Sequence, residues 1–175
     1  DAIGRNTKEL ADERVREAMN YAVNKEALIK DILEDHAIIN VGGMFRINPG
    51  YDPALKPYPH DPTKAKQLLA AAGYPEGFDV VFSFVPGIEG SMKTKEMVES
   101  VASDLGKVGI RVRLVQMETA AFWDGYFGKR HQMYVLTWGS SPEAGRQLRT
   151  LLHSKARGLY YTNPKADELI DAYFS

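Results

Sequence analysis

Three short strand-like stretches, two of them alternating residue by residue, separated by runs with helical spacing, constrain this chain more than anything else in it. Val80 to Val85 reads as a strand that Pro86 and Gly87 break. Ile110, Val112 and Leu114 alternate with Arg111, Arg113 and Val115, which is strand behaviour with one polar face. In HQMYVLTWGSSP, residues 131–142, Met133, Val135 and Thr137 share one face and Tyr134, Leu136 and Trp138 the other. Between the first two strands, Glu89 to Val108 sets Met97, Val98, Val101, Ala102 and Leu105 on one side of a helix that Gly109 closes. Between the second and third, Thr119 caps a helix through Tyr126 whose Phe122 and Tyr126 share a face. Strands alternating with helices imply an α/β sheet joined by crossover connections.

The flanks are helical. Leu10 to Val23 carries Val15, Ala18, Met19, Ala22 and Val23 on one face, and Asn24 caps a second helix lined by Ala27, Leu28, Ile32 and Leu33. Asp61-Pro62 predicts an N-cap and first helical position, with Ala65, Leu68, Leu69 and Ala72 as the buried stripe and Gly73 as the stop. Near the end, Gln147–Leu152 reads as a helix, and Asn163-Pro164 starts another carrying Ala166, Leu169, Ile170, Tyr173 and Phe174. Residues 36–60 differ. Their three glycines and four prolines exclude a long helix and predict an ordered, winding connection. A connection of that length is uncommon unless it binds something or packs on a neighbour. There is no internal repeat.

Several function classes lose support. With 22 basic and 23 acidic residues the net charge is −1, which argues against an extended nucleic-acid surface. No cysteine is present, so neither a disulfide framework nor thiolate chemistry is available. No apolar run reaches the roughly 18 residues of a membrane span, and the first residues do not read as a basic–apolar signal-peptide pattern. The start at Asp1 and the finish inside an apolar helical pattern, ELIDAYFS, lead us to expect a fragment of a longer protein. His36, His60, His131 and His153 are too scattered for a zinc site, and no phosphate loop or nucleophile elbow occurs. The plentiful carboxylates read as solvated helix faces. We expect no catalysis, no metal and no cofactor.

Binding has better support. Ligands of open α/β sheets sit in the crevice beyond the carboxyl ends of the strands. The third strand ends there in Trp138 and Gly139, an aromatic wall followed by Ser140 and Ser141 as hydroxyl donors. Glu143 suits a ligand ammonium or guanidinium group, and Arg146 and Arg149 suit a ligand carboxylate. The same residues also fit a buried strand tryptophan with an ordinary loop behind it, and arginines on a solvated helix face. Both readings stand open on these residues alone.

Taken together, the longer segments resemble one family. ADERVREAMNYAVNKEALI, YPHDPTKAKQLLAAAGYPEGFDV, LGKVGIRVRL, MYVLTWGS and YTNPKADELIDA are similar, in order, to segments of the bacterial extracellular solute-binding proteins of family 5. These are the dipeptide-, oligopeptide- and nickel-binding receptors of ABC importers, and the resemblance spans about residues 10–173. It implies a periplasmic-binding-protein-like lobe of type II, peptide-binding class, with a mixed sheet flanked by helices. Residues 1–175 would form a single α/β lobe, the second of two around a cleft, with 36–60 as a Pro/Gly-rich connection within it.

The implied function is capture of a peptide or related small solute and its delivery to ABC permease subunits. Contact with the membrane would be peripheral, through the permease, and no nucleic acid is involved. The implied location is the periplasm, or the outer surface of a Gram-positive cell as an anchored lipoprotein. Trp138 and Gly139 carry over as cleft-wall positions, and Met44, Phe45 and Arg46 fall in a connection that approaches the cleft in this family. Peptide receptors place an Asp shortly after the Trp-Gly strand end to hold the peptide amino group. Here Ser140, Ser141, Pro142 and Glu143 stand there instead, which weighs against dipeptide specificity and makes Glu143 the nearest acidic match. The pattern is closer to a subgroup with less uniform ligands, including other peptides and opine-like compounds. The alternative reading is a sensory or scaffold module using the same fold without transport. An enzyme would need a nucleophile–base constellation that the chain does not display.

Overall fold

The computed structural model describes residues 7–42, 44–48, 50–87, 93–137, 144–156 and 162–174. Strand β1, Phe78–Phe84, lies between β2, Ile110–Gln116, and β3, Met133–Tyr134, in the order β2-β1-β3. Phe78 opposes Ile110 and Phe84 opposes Gln116 on one side, and Phe82 opposes Met133 on the other. Both pairings are parallel, which corrects the expected mixed sheet for the described residues. The reason lies in the connections. Each passes through a helix, α5 (Thr94–Gly106) and then α6 (Thr119–Phe127), which carries the chain back to the edge where the preceding strand began.

The path runs from β1 outward to β2, then back across β1 to β3. Crossovers of the usual right hand in opposite directions put their helices on opposite faces of the sheet. The packing agrees. Phe78, Val80, Phe82 and Phe84 meet Val98 and Leu105 of α5 on one face. Helix α2 (Glu13–Ala22) adds Val15, Ala18, Met19 and Ala22 to that core, and α4 (Pro62–Ala71) adds Ala65 and Leu69. On the other face Val85, Phe122, Tyr126 and Tyr134 form a smaller aromatic core. Met133 and Val135 join the first core while Tyr134 and Leu136 join the second, as their alternation predicts. The hydrogen-bonded ladder covers only Met133–Tyr134, and just before it the Gln132 side-chain Oε1 accepts the Val81 N–H at 2.7 Å.

Two glycines set the register at the amino ends of β1 and β2. A Cβ on Gly77 would stand 1.9 Å from the Gly109 carbonyl oxygen, so the two backbones approach more closely than any side chain permits. Gly77 and Gly109 also hold φ of 72° and 94°, which favours glycine.

Local chemistry explains the remaining departures from expectation. The run from Leu10 to Val23 is two helices, α1 (Lys8–Ala11) and α2, because Asp12 leaves the helix and its carboxylate accepts the Arg14 N–H. Helix α3, Lys25–Ala27, continues into a π-helical turn over Leu28–Ile32, and Glu34 and Asp35 then take φ of 52° and 60°. Lys93 ties this end down by donating to the Ile32 carbonyl at 2.8 Å and pairing with Glu34. Lys93 itself sits at φ 60°, so α5 starts at Thr94 rather than at Glu89, which lies outside the described residues. Glu118, not Thr119, is the N-cap of α6. The Asp61-Pro62 start and the Gly73 stop of α4 are as expected: the Asp61 carboxylate accepts the Lys64 N–H at 2.8 Å, and Gly73 has φ 92°. Helices α7 (Ala144–Leu152) and α8 (Pro164–Tyr173) complete the chain. No helix among the described residues is long and apolar enough to cross a membrane.

One buried carboxylate ties α5 to the junction between α2 and α3. Asp104 of α5, 7% exposed, accepts the Asn24 N–H at 2.9 Å and the Lys107 ammonium at 2.7 Å. Burial pushes its pKa up, but the Lys107 and Asn24 hydrogen bonds outweigh burial and hold it below the usual carboxylate value of 3.8. A carboxyl whose folded pKa is depressed stabilises the fold above its unfolded pKa, and that contribution fades as pH falls through the folded value. Asp104→Ala should therefore cost about 1.5–3 kcal/mol near neutral pH. In urea unfolding, the gap to the parent should narrow at about pH 3. Equal gaps at both pH values would show that the charge is not what holds Asn24.

Candidate functional site

Because all three strands run the same way, their carboxyl ends open on one edge of the sheet. The chain leaves β1 through Val85, Pro86 and Gly87, leaves β2 through Met117 and Glu118, and leaves β3 through Val135, Leu136 and Thr137. Met117 donates its N–H to the Phe84 carbonyl at 2.8 Å, which holds the β1 and β2 exits together past the end of the ladder. The crossovers from β1 reverse direction here, so the crevice expected for a ligand falls between the exits of β1 and β3.

An aromatic cluster underlies that edge on the α6 side. Phe122 is fully buried and stacks on the His131 ring, with centroids 4.9 Å apart and planes 23° apart. His131 Nε2 lies 2.9 Å from the Phe122 carbonyl; a carbonyl only accepts, so this nitrogen carries the proton. Tyr126 meets Tyr134 edge to face at 5.5 Å, and burial raises the Tyr126 phenol above its usual pKa. Trp123 packs on the same cluster and stacks on Phe127, which is 54% exposed. Rigid aromatic packing of this kind sets where Leu136 and Thr137 leave the sheet.

The residues singled out from sequence fare differently. Trp138, Gly139, Ser140, Ser141 and Glu143 lie outside the described residues. Arg146 is exposed on the first turn of α7, where its carbonyl accepts from Thr150 Oγ1 at 2.8 Å. Arg149 is engaged with the protein itself: its guanidinium lies 3.8 Å from Asp171 and 4.8 Å over the Phe174 ring, both contributed by the last helical segment. That engagement weighs against the carboxylate-binding role expected of Arg149.

Met44, Phe45 and Arg46 belong to a compact turn. Phe45 N–H donates to the Asn48 side chain at 3.0 Å, Asn48 N–H returns a bond to the Phe45 carbonyl at 2.9 Å, and Asn40 Nδ2 donates to the Met44 carbonyl at 3.1 Å. Met44 and Phe45 are half-buried and Arg46 is exposed. The far end of this connection is fastened to α2, with Tyr58 edge-on to Tyr21 at 5.1 Å and Asp61 N–H on the Tyr21 carbonyl at 2.9 Å.

Two histidines escaped the sequence reading, which treated them only as candidate metal ligands. His131 and His153 are 5% and 4% exposed, and each organises its surroundings. The signal for His131 was available in Gly125, one helical turn after Phe122: only a residue without a side chain leaves room for a ring there. For His153 it was the pair Asp167 and Asp171, spaced to share a face of α8.

Comparisons with known proteins agree on one relationship. The model of the bacterial extracellular solute-binding proteins, family 5 (its middle part), matches residues 2–158. The heme-binding protein A of Haemophilus influenzae is 39% identical over 116 residues, covering 62% of this chain and 20% of that protein. The dipeptide-binding protein of Escherichia coli is 30% identical over 132 residues, covering 75% of this chain and 25% of that protein. Among solved structures, a periplasmic binding protein, DppA of Helicobacter pylori in complex with the peptide STSA, superposes with a TM-score of 0.88 at 26% identity. It covers 98% of this chain and 34% of that one. The chain thus spans between a fifth and about a third of the length of these proteins.

The aromatic packing is directly testable. A Cβ on Gly125 would meet His131 Cε1 and Nε2 at 2.6 Å, and the ring cannot yield without leaving Phe122. Gly125→Ala should cost about 1–3 kcal/mol. For a chain of this size that is a fall of roughly 3–10 °C in melting temperature. An unchanged midpoint would mean that His131 does not occupy this place.

Proposed function

The chain belongs to the bacterial extracellular solute-binding proteins of family 5, and on that premise we propose that it supplies one wall of the ligand cleft of an ABC-importer receptor. The receptor captures a peptide or related small solute outside the cytoplasmic membrane, in the periplasm. It then delivers the solute to the permease. Residues 1–175 act as one α/β lobe, within which 36–60 is a connection rather than a domain. The single observation that carries the reading is the convergence of all three strand exits on one edge. The segment from Trp138 to Arg146 follows the last of those exits directly.

Residue roles follow from chemistry. Trp138 and Gly139 line the wall, Ser140 and Ser141 offer hydroxyls, Glu143 receives a cationic group, and Arg146 offers its guanidinium to a carboxylate. Met44, Phe45 and Arg46 border the same cleft from the long connection. The relatives named for heme, for dipeptides and for a bound tetrapeptide share the scaffold, so ligand choice rests with such side chains and not with the sheet. Binding without turnover, with closure of a second lobe over the ligand, is the mode the family implies.

Titrating the labelled chain with a small panel of di- and tripeptides, opines, nickel–histidine and heme, followed by amide chemical shifts, tests the proposal. One wall alone should bind weakly, with a dissociation constant on the order of 1 mM. The shifts should gather at Gly87, Met117, Thr137 and Arg146. Glu143→Ala should abolish them for a ligand bearing an amino group. A folded chain whose spectrum no member of the panel moves, or moves only far from these residues, would sink the reading.

A further inference from the structure

Helix α7 has only nine residues, too few to hold helical form unaided in water, so its place is set by what it packs on. Among the described elements its principal partner is α8. The two meet along a seam centred on His153, just past the end of α7. His153 is 4% exposed, and its Nδ1 accepts the Lys155 N–H at 3.0 Å. The ring proton therefore sits on Nε2, which faces the Asp171 carboxylate at 3.4 Å. Asp167 stands 3.7 Å from the other ring nitrogen and is occupied by the Ser154 N–H at 2.8 Å. One turn earlier on α7, Arg149 reaches the same Asp171 and lies over Phe174. Arg146 falls two turns before His153, on the same stripe of the helix.

Magnitudes decide which of these contacts matters. The Arg149–Asp171 pair is more than half exposed on both sides and contributes little. A buried imidazole is different, because a polar ring left without its partners costs the full desolvation penalty. We propose that the His153 seam between α7 and α8 is a positioning device for the ligand side of the lobe: it fixes the rotation and tilt of α7, and with them the place at which Arg146 is presented. This rests on the assignment of Arg146 and Glu143 as ligand contacts, and it makes His153, Asp167 and Asp171 positioning residues rather than contacts.

Amide hydrogen exchange, read residue by residue, tests this on α7 itself with no ligand required. Both His153→Leu and Asp171→Ala should speed exchange of the Leu148, Arg149 and Thr150 amides about tenfold while the amides of α5 and β1 keep the parent's rates, the mark of a local release and not of global unfolding. Glu168→Ala, which removes an exposed pair with Lys165 on α8, should leave the α7 amides as they were. His153→Gln keeps a donor toward Asp171 and should restore most of the protection. If His153→Leu fails to fold, Asp171→Ala decides alone. Unchanged exchange in α7 of the seam variants, even with a lowered melting temperature, would reduce the seam to a stability contact and overturn the proposal. Neither result bears on whether the chain binds a solute, which the titration settles separately.

Discussion

A parallel strand that must be buried on both faces cannot exist without two layers of helix, and β1 is such a strand. Phe78, Val80, Phe82 and Phe84 need one cover, while Ser83 and, just past the strand, Val85 need another. Fully burying a phenylalanine or valine side chain is worth roughly 1.5–3 kcal/mol, so neither face can be left open cheaply. Placing β2 on one side and β3 on the other, through helices that cross on opposite faces, is how a single chain meets that demand. The crevice at the carboxyl edge is then a by-product of burial. The reversal that supplies two covers also separates the exits of β1 and β3.

Much of this was legible because the code is local. Two alternating runs and one apolar run stopped by Pro86 and Gly87 identified the three strands to within a few residues, and the Asp61-Pro62, Asn163-Pro164 and Gly73 signals mark real helix ends. Misreadings occurred where a polar side chain had a better use than continuing a helix. Asp12 caps instead of bridging α1 and α2, and Lys93 adopts a left-handed backbone and fastens the π-helical turn of the preceding helix pair. A mixed sheet was expected from family resemblance and not from pattern. Nothing in the periodicity of residues 80–138 called for an antiparallel partner.

The site was less legible than the fold, for a physical reason. Trp138 and the residues after it announced themselves through residue type, yet the elements on either side of them are fixed by contacts between residues distant in sequence. His131 stacks on Phe122, nine positions away, through a gap that Gly125 keeps open. His153 meets Asp167 and Asp171 across a helix–helix seam. Scattered histidines look uninformative in a sequence because their partners are assigned by packing. Arg149 illustrates the converse: a guanidinium near a presumed ligand loop reads as a ligand group until α8 supplies its carboxylate and its ring.

The two histidines also divide the labour of shaping one edge. On the β3 side, His131 stacks on Phe122 and sits beside Tyr134 in an aromatic core, so the strand exit there resists displacement. On the α7 side, His153 is held by two carboxylates and the Lys155 backbone N–H, contacts with directional preference and little bulk. Apolar packing fixes position well but tolerates sliding of similar shapes, whereas hydrogen bonds to a buried ring fix rotation. The seam of α7 is of the second kind, and the exit of β3 is mainly of the first. Relatives named for ligands as unlike as heme and a dipeptide can share such a frame, because neither constraint touches the side chains that choose among ligands.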